Sequence, residues 1–90
     1  MRTKLISYDL KAAKDYTSVI AYIKSFGTWA KPLKSQWLVK TDLTELQLIE
    51  GLRAHGADQD DALLVIDVTN DPAAWTHLSQ EVADWIKKNL

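Results

Sequence analysis

The chain has no cysteine, only two prolines and three glycines, and a single methionine among its 90 residues. Without cysteine there is no disulfide, no thiolate nucleophile and no cysteine-ligated zinc. Its glycines, Gly27, Gly51 and Gly56, are too scattered to make a phosphate-cradling loop. The two histidines, His55 and His77, have no His or Cys partner at ligand spacing, which argues against zinc. Ser7 has no nearby His or Lys with which to form a nucleophile–base pair and reads as a small core residue. No apolar run approaches the roughly 20 residues of a membrane span, and no signal-peptide pattern opens the sequence. No membrane association and cytoplasmic residence are the expectations.

What is present suits one packed domain over residues 1–90, with 47% apolar residues and four tryptophans. The net charge of −1 conceals an asymmetry: residues 1–40 carry eight basic side chains against two acidic, and residues 41–90 three against ten. Should the basic half form one side of the molecule, that side would meet phosphates; interleaving of the halves would instead give a mixed solvated surface.

Residues Thr3 to Asp9 read as a strand that ends in Tyr8-Asp9. A helix follows from Asp15 or Tyr16 to Phe26, with Tyr16, Val19, Ile20, Ile23 and Phe26 at helical spacing and Gly27 as its stop. Thr28 to Leu33 is a second strand, confined to a sheet edge because Pro32 cannot donate to a ladder. Gln36 to Thr41 is the third, after a tight Lys34-Ser35 connection. Thr44-Glu45-Leu46-Gln47 matches a capping box, opening a helix whose stripe is Leu46, Ile49 and Leu52 (or Arg53) and whose stop is Gly56. Gly51 inside it costs about 1 kcal/mol relative to alanine. After an acidic loop from Asp58 to Asp61, residues 62–68 form a nearly continuous apolar strand, which implies cover on both faces. Asp71 and Pro72 then read as the start of a terminal helix over residues 71–89, apolar through Trp75, Leu78, Val82, Trp85 and Ile86.

Two strand–helix–strand units joined by a hairpin predict an α+β, ferredoxin-like βαββαβ sandwich, a four-stranded antiparallel sheet with an additional C-terminal helix. One face of such a sheet needs further cover, and the apolar residues 62–68 favour a second copy of the chain. Trp29 and Trp37 are expected to pair across the hairpin, as packing or as a base-stacking platform among Lys31, Lys34 and Lys40.

Tyr8-Asp9 closing the first strand, Gly27 after the first helix, and Gln36 to Thr44 running into the second helix carry a family resemblance. Over residues 3–68 the chain resembles the small CRISPR-associated subunit found with the integrase, and the virulence-associated protein D endoribonucleases. The resemblance implies a symmetric homodimer in which Asp9 faces its symmetry mate. There it would act as catalytic residue and ligand of Mg²⁺ or Mn²⁺, hard cations that take oxygen ligands. The metal would activate water for cleavage of RNA or duplex DNA. Arg2, Lys11, Lys31 and Lys34 are the candidate phosphate contacts. Trp37 stands where the family pattern has a serine, which would place a bulky ring near the site. Read as residues alone, Asp9 equally serves to cap the following loop, and Asp67 is either an added carboxylate or an exposed strand end. The alternative function is a non-catalytic, dimeric protein–protein interaction module.

Overall fold

The computed structural model describes residues 1–10 and 16–90. Lys11 and the expected helix start at Asp15 lie outside the described residues. Strand β1 (Arg2–Asp9) is followed by α1 (Thr17–Lys24), the hairpin β2 (Trp29–Leu33) and β3 (Gln36–Thr41), α2 (Glu45–Ala54), β4 (Ala62–Asp67) and α3 (Gln80–Asn89). The strands form one sheet in the order β2-β3-β1-β4, every neighbouring pair antiparallel. The molecule is therefore α+β, with β2 and β4 at the two edges. Pro32 sits on the β2 edge, and the register slips between Ala30 and Leu33, where the missing N–H interrupts the ladder.

Strand alternation sends β1 side chains to two different cores. Ile6, with Trp37 and Val39 of β3, packs under Val19 and Ile23 of α1 and Leu52 of α2. Leu5, on the opposite face, joins Ala30, Leu38 and the α3 residues Val82, Trp85 and Ile86. Helix α2 opens on the capping box: Thr44 Oγ1 accepts from the Gln47 amide at 3.1 Å, and Gln47 Oε1 accepts from the Thr44 amide at 2.9 Å. It buries Leu48 and Leu52, one turn apart, whereas Leu46 of the expected stripe faces solvent at 66% exposure. Gly56, with φ +120°, takes a conformation that L side chains rarely adopt as the chain leaves α2.

The terminal helix starts at Gln80 rather than at Asp71. Asn70 and His77 have positive φ (62° and 60°), which no α-helix accommodates, and the hydroxyl of Ser79 accepts from the Val82 amide at 3.2 Å. Trp75 and His77 therefore precede the helix, and Trp75 is 38% exposed. Three hydrogen bonds fix α3 over the β2–β3–β1 side. Thr3 Oγ1 and Lys40 Nζ donate to the Asn89 carbonyl at 2.6 and 3.3 Å, and Trp85 Nε1 donates to Thr28 Oγ1 at 2.9 Å. Because α3 is tied there, the described residues do not supply the expected double cover of β4: Leu64 and Ile66 are 54% and 43% exposed. Among the described residues no helix is long and apolar enough to cross a membrane.

Gly51 faces Tyr22 of α1, which stacks on His55 with ring centroids 4.3 Å apart and meets Phe26 edge-on at 5.2 Å. A Cβ at position 51 would overlap the Tyr22 hydroxyl and ring. Helix propensity alone gives Gly51→Ala a gain of about 1 kcal/mol. Overlap with a ring wedged between two others reverses that sign. Gly51→Ala is expected to destabilise the fold by about 1–2 kcal/mol in urea unfolding, and Gly51→Ala combined with Tyr22→Ala should cost less than the sum of the two changes.

A candidate interface around Asp9

Register places Asp9 on the half of the sheet that α3 leaves open. Asp9, Ser7 and Leu5 of β1 pair with Ala62, Leu64 and Ile66 of β4, and antiparallel partners project to the same face. The exposed Asp9 carboxylate thus stands at the end of an apolar stripe made by Leu64 and Ile66. A shallow depression of about 200 Å³ surrounds it, lined by Ser7, Ala62 and Leu64 among others. Beside the stripe, an apolar groove of about 500 Å³ runs between the sheet and the segment before α3, where Leu5, Leu33, Leu38, Trp75 and Leu78 line it.

Trp37 does not intrude on Asp9. It pairs with Ile6 on the opposite face, is 2% exposed, and its Nε1 donates to the Tyr8 hydroxyl at 2.9 Å. The nominated cations separate. Lys34 lies in the β2–β3 turn, which the hydrogen bond from the Tyr8 amide to the Ser35 carbonyl, 3.1 Å, draws to the Asp9 end of β1. Lys31 lies on the α1–α2 side with its Nζ 5.0 Å from the Trp37 ring centroid. Lys11 lies outside the described residues.

Arg2 is at the far end of β1, bound to Asp67 through Nε at 2.8 Å and a second nitrogen at 3.2 Å. Asp67 also meets Lys4 Nζ at 3.3 Å, and Lys4 continues to Glu45 of α2 at 3.0 Å. Since Ala62 pairs with Asp9 and Asp67 with Lys4, the two aspartates are roughly 17 Å apart along β4 at about 3.3 Å per residue. Asp67 thus adds no carboxylate to Asp9. Lys4, 4% exposed, is a buried cation that neither charge counting nor periodicity singled out. Its burial disfavours the charged form, but the hydrogen bonds to Glu45 and Asp67 outweigh this and raise its pKa. The Arg2 hydrogen bond and the Thr69 amide hold Asp67 well below the usual carboxylate range, and the Lys4 hydrogen bond lowers Glu45.

Lys24 carries no sequence signal of its own. As the last residue of α1 it places its Nζ 5.0 Å from the Trp29 ring centroid, because Gly27, at φ +91°, turns the chain back from the helix into β2. His55, stacked on Tyr22, has Nδ1 2.8 Å from the Gly51 carbonyl, and Asp61 receives the Tyr16 hydroxyl at 3.2 Å; both tie loops to helices. Among the described residues no three His, Asp or Glu side chains converge as a metal site.

The carboxylates of Asp67 and Glu45 have folded-state pKa values below their unfolded ones. Their contribution to stability is present above about pH 4 and is lost as pH falls through the depressed folded values. Thermal melts between pH 6 and pH 2 should therefore show a shallower acid loss for Asp67→Asn than for the wild type, with the variant less stable at pH 6. Parallel profiles would show that the cluster adds nothing.

No family model, curated protein or solved structure matches the chain.

Proposed function

We propose that the chain is a ferredoxin-like subunit that acts as a homodimer on nucleic acid, with the two Asp9 carboxylates brought together at the dimer interface. The observation that carries this reading is that Asp9 shares its uncovered sheet face with Leu64 and Ile66. Burying those two side chains against a second copy removes apolar surface from water, and the same contact carries Asp9 into the interface. The strand order β2-β3-β1-β4, with helices in both crossovers, supports the ferredoxin-like reading.

One exposed carboxylate, with open space beside it, fits half of a Mg²⁺ or Mn²⁺ site. The symmetry mate and water would supply the remaining oxygens. Bound there, the metal would supply an activated water and charge stabilisation at a phosphodiester. The chain's own part is to hold Asp9 at a strand end against a rigid sheet and to offer Lys34 from the adjoining turn. A second reading, a non-catalytic protein-interaction module, is favoured by the engagement of Arg2 with Asp67, which removes one of the nominated phosphate contacts.

Calorimetric titration with Mn²⁺ is expected to give one ion per two chains for the wild type and none for Asp9→Ala. Cleavage of labelled RNA or DNA should need Mg²⁺ or Mn²⁺ and vanish with EDTA or Asp9→Ala. Cleavage that survives Asp9→Ala would remove Asp9 from the chemistry. A dimer that neither binds Mn²⁺ nor cleaves would leave the interaction module.

A further inference from the structure

The edge of the sheet far from β4 carries a different surface. Trp29 is 37% exposed at the start of β2, and Leu33 at its far end is 55% exposed. Its indole is braced edge-on by Trp37, with centroids 5.3 Å apart and planes at 63°. Trp37 in turn is held by its hydrogen bond to Tyr8 and is 2% exposed, so it supports Trp29 without being reachable itself. Two ammonium groups flank the pair: Lys24 Nζ lies 5.0 Å from the Trp29 centroid and Lys31 Nζ lies 5.0 Å from that of Trp37. Lys34 follows in the next turn, and all three lysines are exposed. From Trp29 to Lys34 the edge runs about 16 Å.

Lys31, Pro32 and Lys34 discourage the addition of another strand at this edge. A fixed, part-exposed indole beside three exposed cations is instead the combination that binds single-stranded nucleic acid, bases stacking on the ring while lysines follow the phosphates. A duplex keeps its base faces stacked and offers the indole nothing. An acidic peptide would engage the lysines but has no need of Trp29. On the α3 side the Glu81 carboxylate lines the notch beside Trp29 and repels phosphate, which directs the strand past Lys24.

We infer that Trp29, with Lys24 and Lys31 beside it and Lys34 in the turn beyond, forms a stacking platform for single-stranded RNA or DNA on the β2 edge, its ring on the face opposite to Asp9. This rests on the nucleic-acid reading above but on none of its metal chemistry, and a dimer formed over Leu64 and Ile66 leaves the platform free.

The test is fluorescence anisotropy of labelled oligo(U), oligo(dT) and a duplex of equal length, in EDTA, from 25 to 200 mM salt. Single strands are expected to bind more tightly than duplex, with log K falling against log salt at a slope of roughly −2 for three neutralised phosphates. Trp29→Ala should weaken single-strand binding about tenfold, while Trp29→Phe keeps most of it. Lys24→Gln with Lys31→Gln should flatten the slope by about 1.4. These exposed substitutions decide the question even if Trp29→Ala does not fold by circular dichroism. Duplex binding that ignores Trp29, with no single-strand preference, would overturn the platform and leave the nucleic-acid reading standing. Absence of binding to any oligonucleotide would overturn both. Single-strand binding unchanged in folded Trp29→Ala, or in the lysine variant, would overturn the platform alone.

Discussion

A ten-residue helix is about 15 Å long and 10 Å wide, enough to cover half of a four-stranded sheet. Where α3 is anchored therefore decides which half stays open, and much else in this protein follows from that. Asn89 receives Thr3 and Lys40, and Trp85 reaches Thr28, so the helix sits toward β2 and β3. The strip left open belongs to β1 and β4, and it combines Leu64 and Ile66 with a carboxylate at its end. Covering the other half would have left Asp9 on a polar rim; this placement ties its chemistry to whatever buries the apolar strip.

Charge is distributed by pairing rather than by halves of the sequence. Arg2 and Lys4 belong to the basic first half, yet both are matched by Asp67 and Glu45 of the acidic second half. That cluster joins β1, β4 and α2 at one end of the sheet and leaves it near neutrality. Of the cations that have no such carboxylate partner among the described residues, Lys24, Lys31 and Lys34 line the β2 side, two of them over tryptophan rings. A net charge of −1 is thus compatible with a locally basic edge.

The elements with local signals were legible in the sequence. The capping box at Thr44, the tight Lys34-Ser35 connection into β3 and the edge position imposed by Pro32 depend on neighbours a few residues away. What sequence could not carry was set by contacts across the fold. Asp71-Pro72 looks like a helix start, but Ser79 supplies a cap next to the apolar face that docks on the sheet, and His77 at positive φ interrupts the path between them. Leu46 fits the helical period as well as Leu48 does, and only the packing of α2 in the fold decides which is buried. The burial of Lys4 has no local signal, because its two acidic partners lie 41 and 63 residues further on. For the site, Tyr8-Asp9 at a strand end was visible from the start, whereas the face on which Asp9 lies, and the opposite face of Trp37, emerged only from the register of three strands.

The most direct check is sedimentation equilibrium of the wild type and Leu64→Asp over micromolar to submillimolar concentrations. A carboxylate in the middle of the open strip leaves the monomer's surface solvated but cannot be buried in a dimer without heavy cost. The account predicts a wild-type dimer and a folded, monomeric Leu64→Asp. A wild type that stays monomeric throughout, or a dimer indifferent to Leu64→Asp, would contradict it.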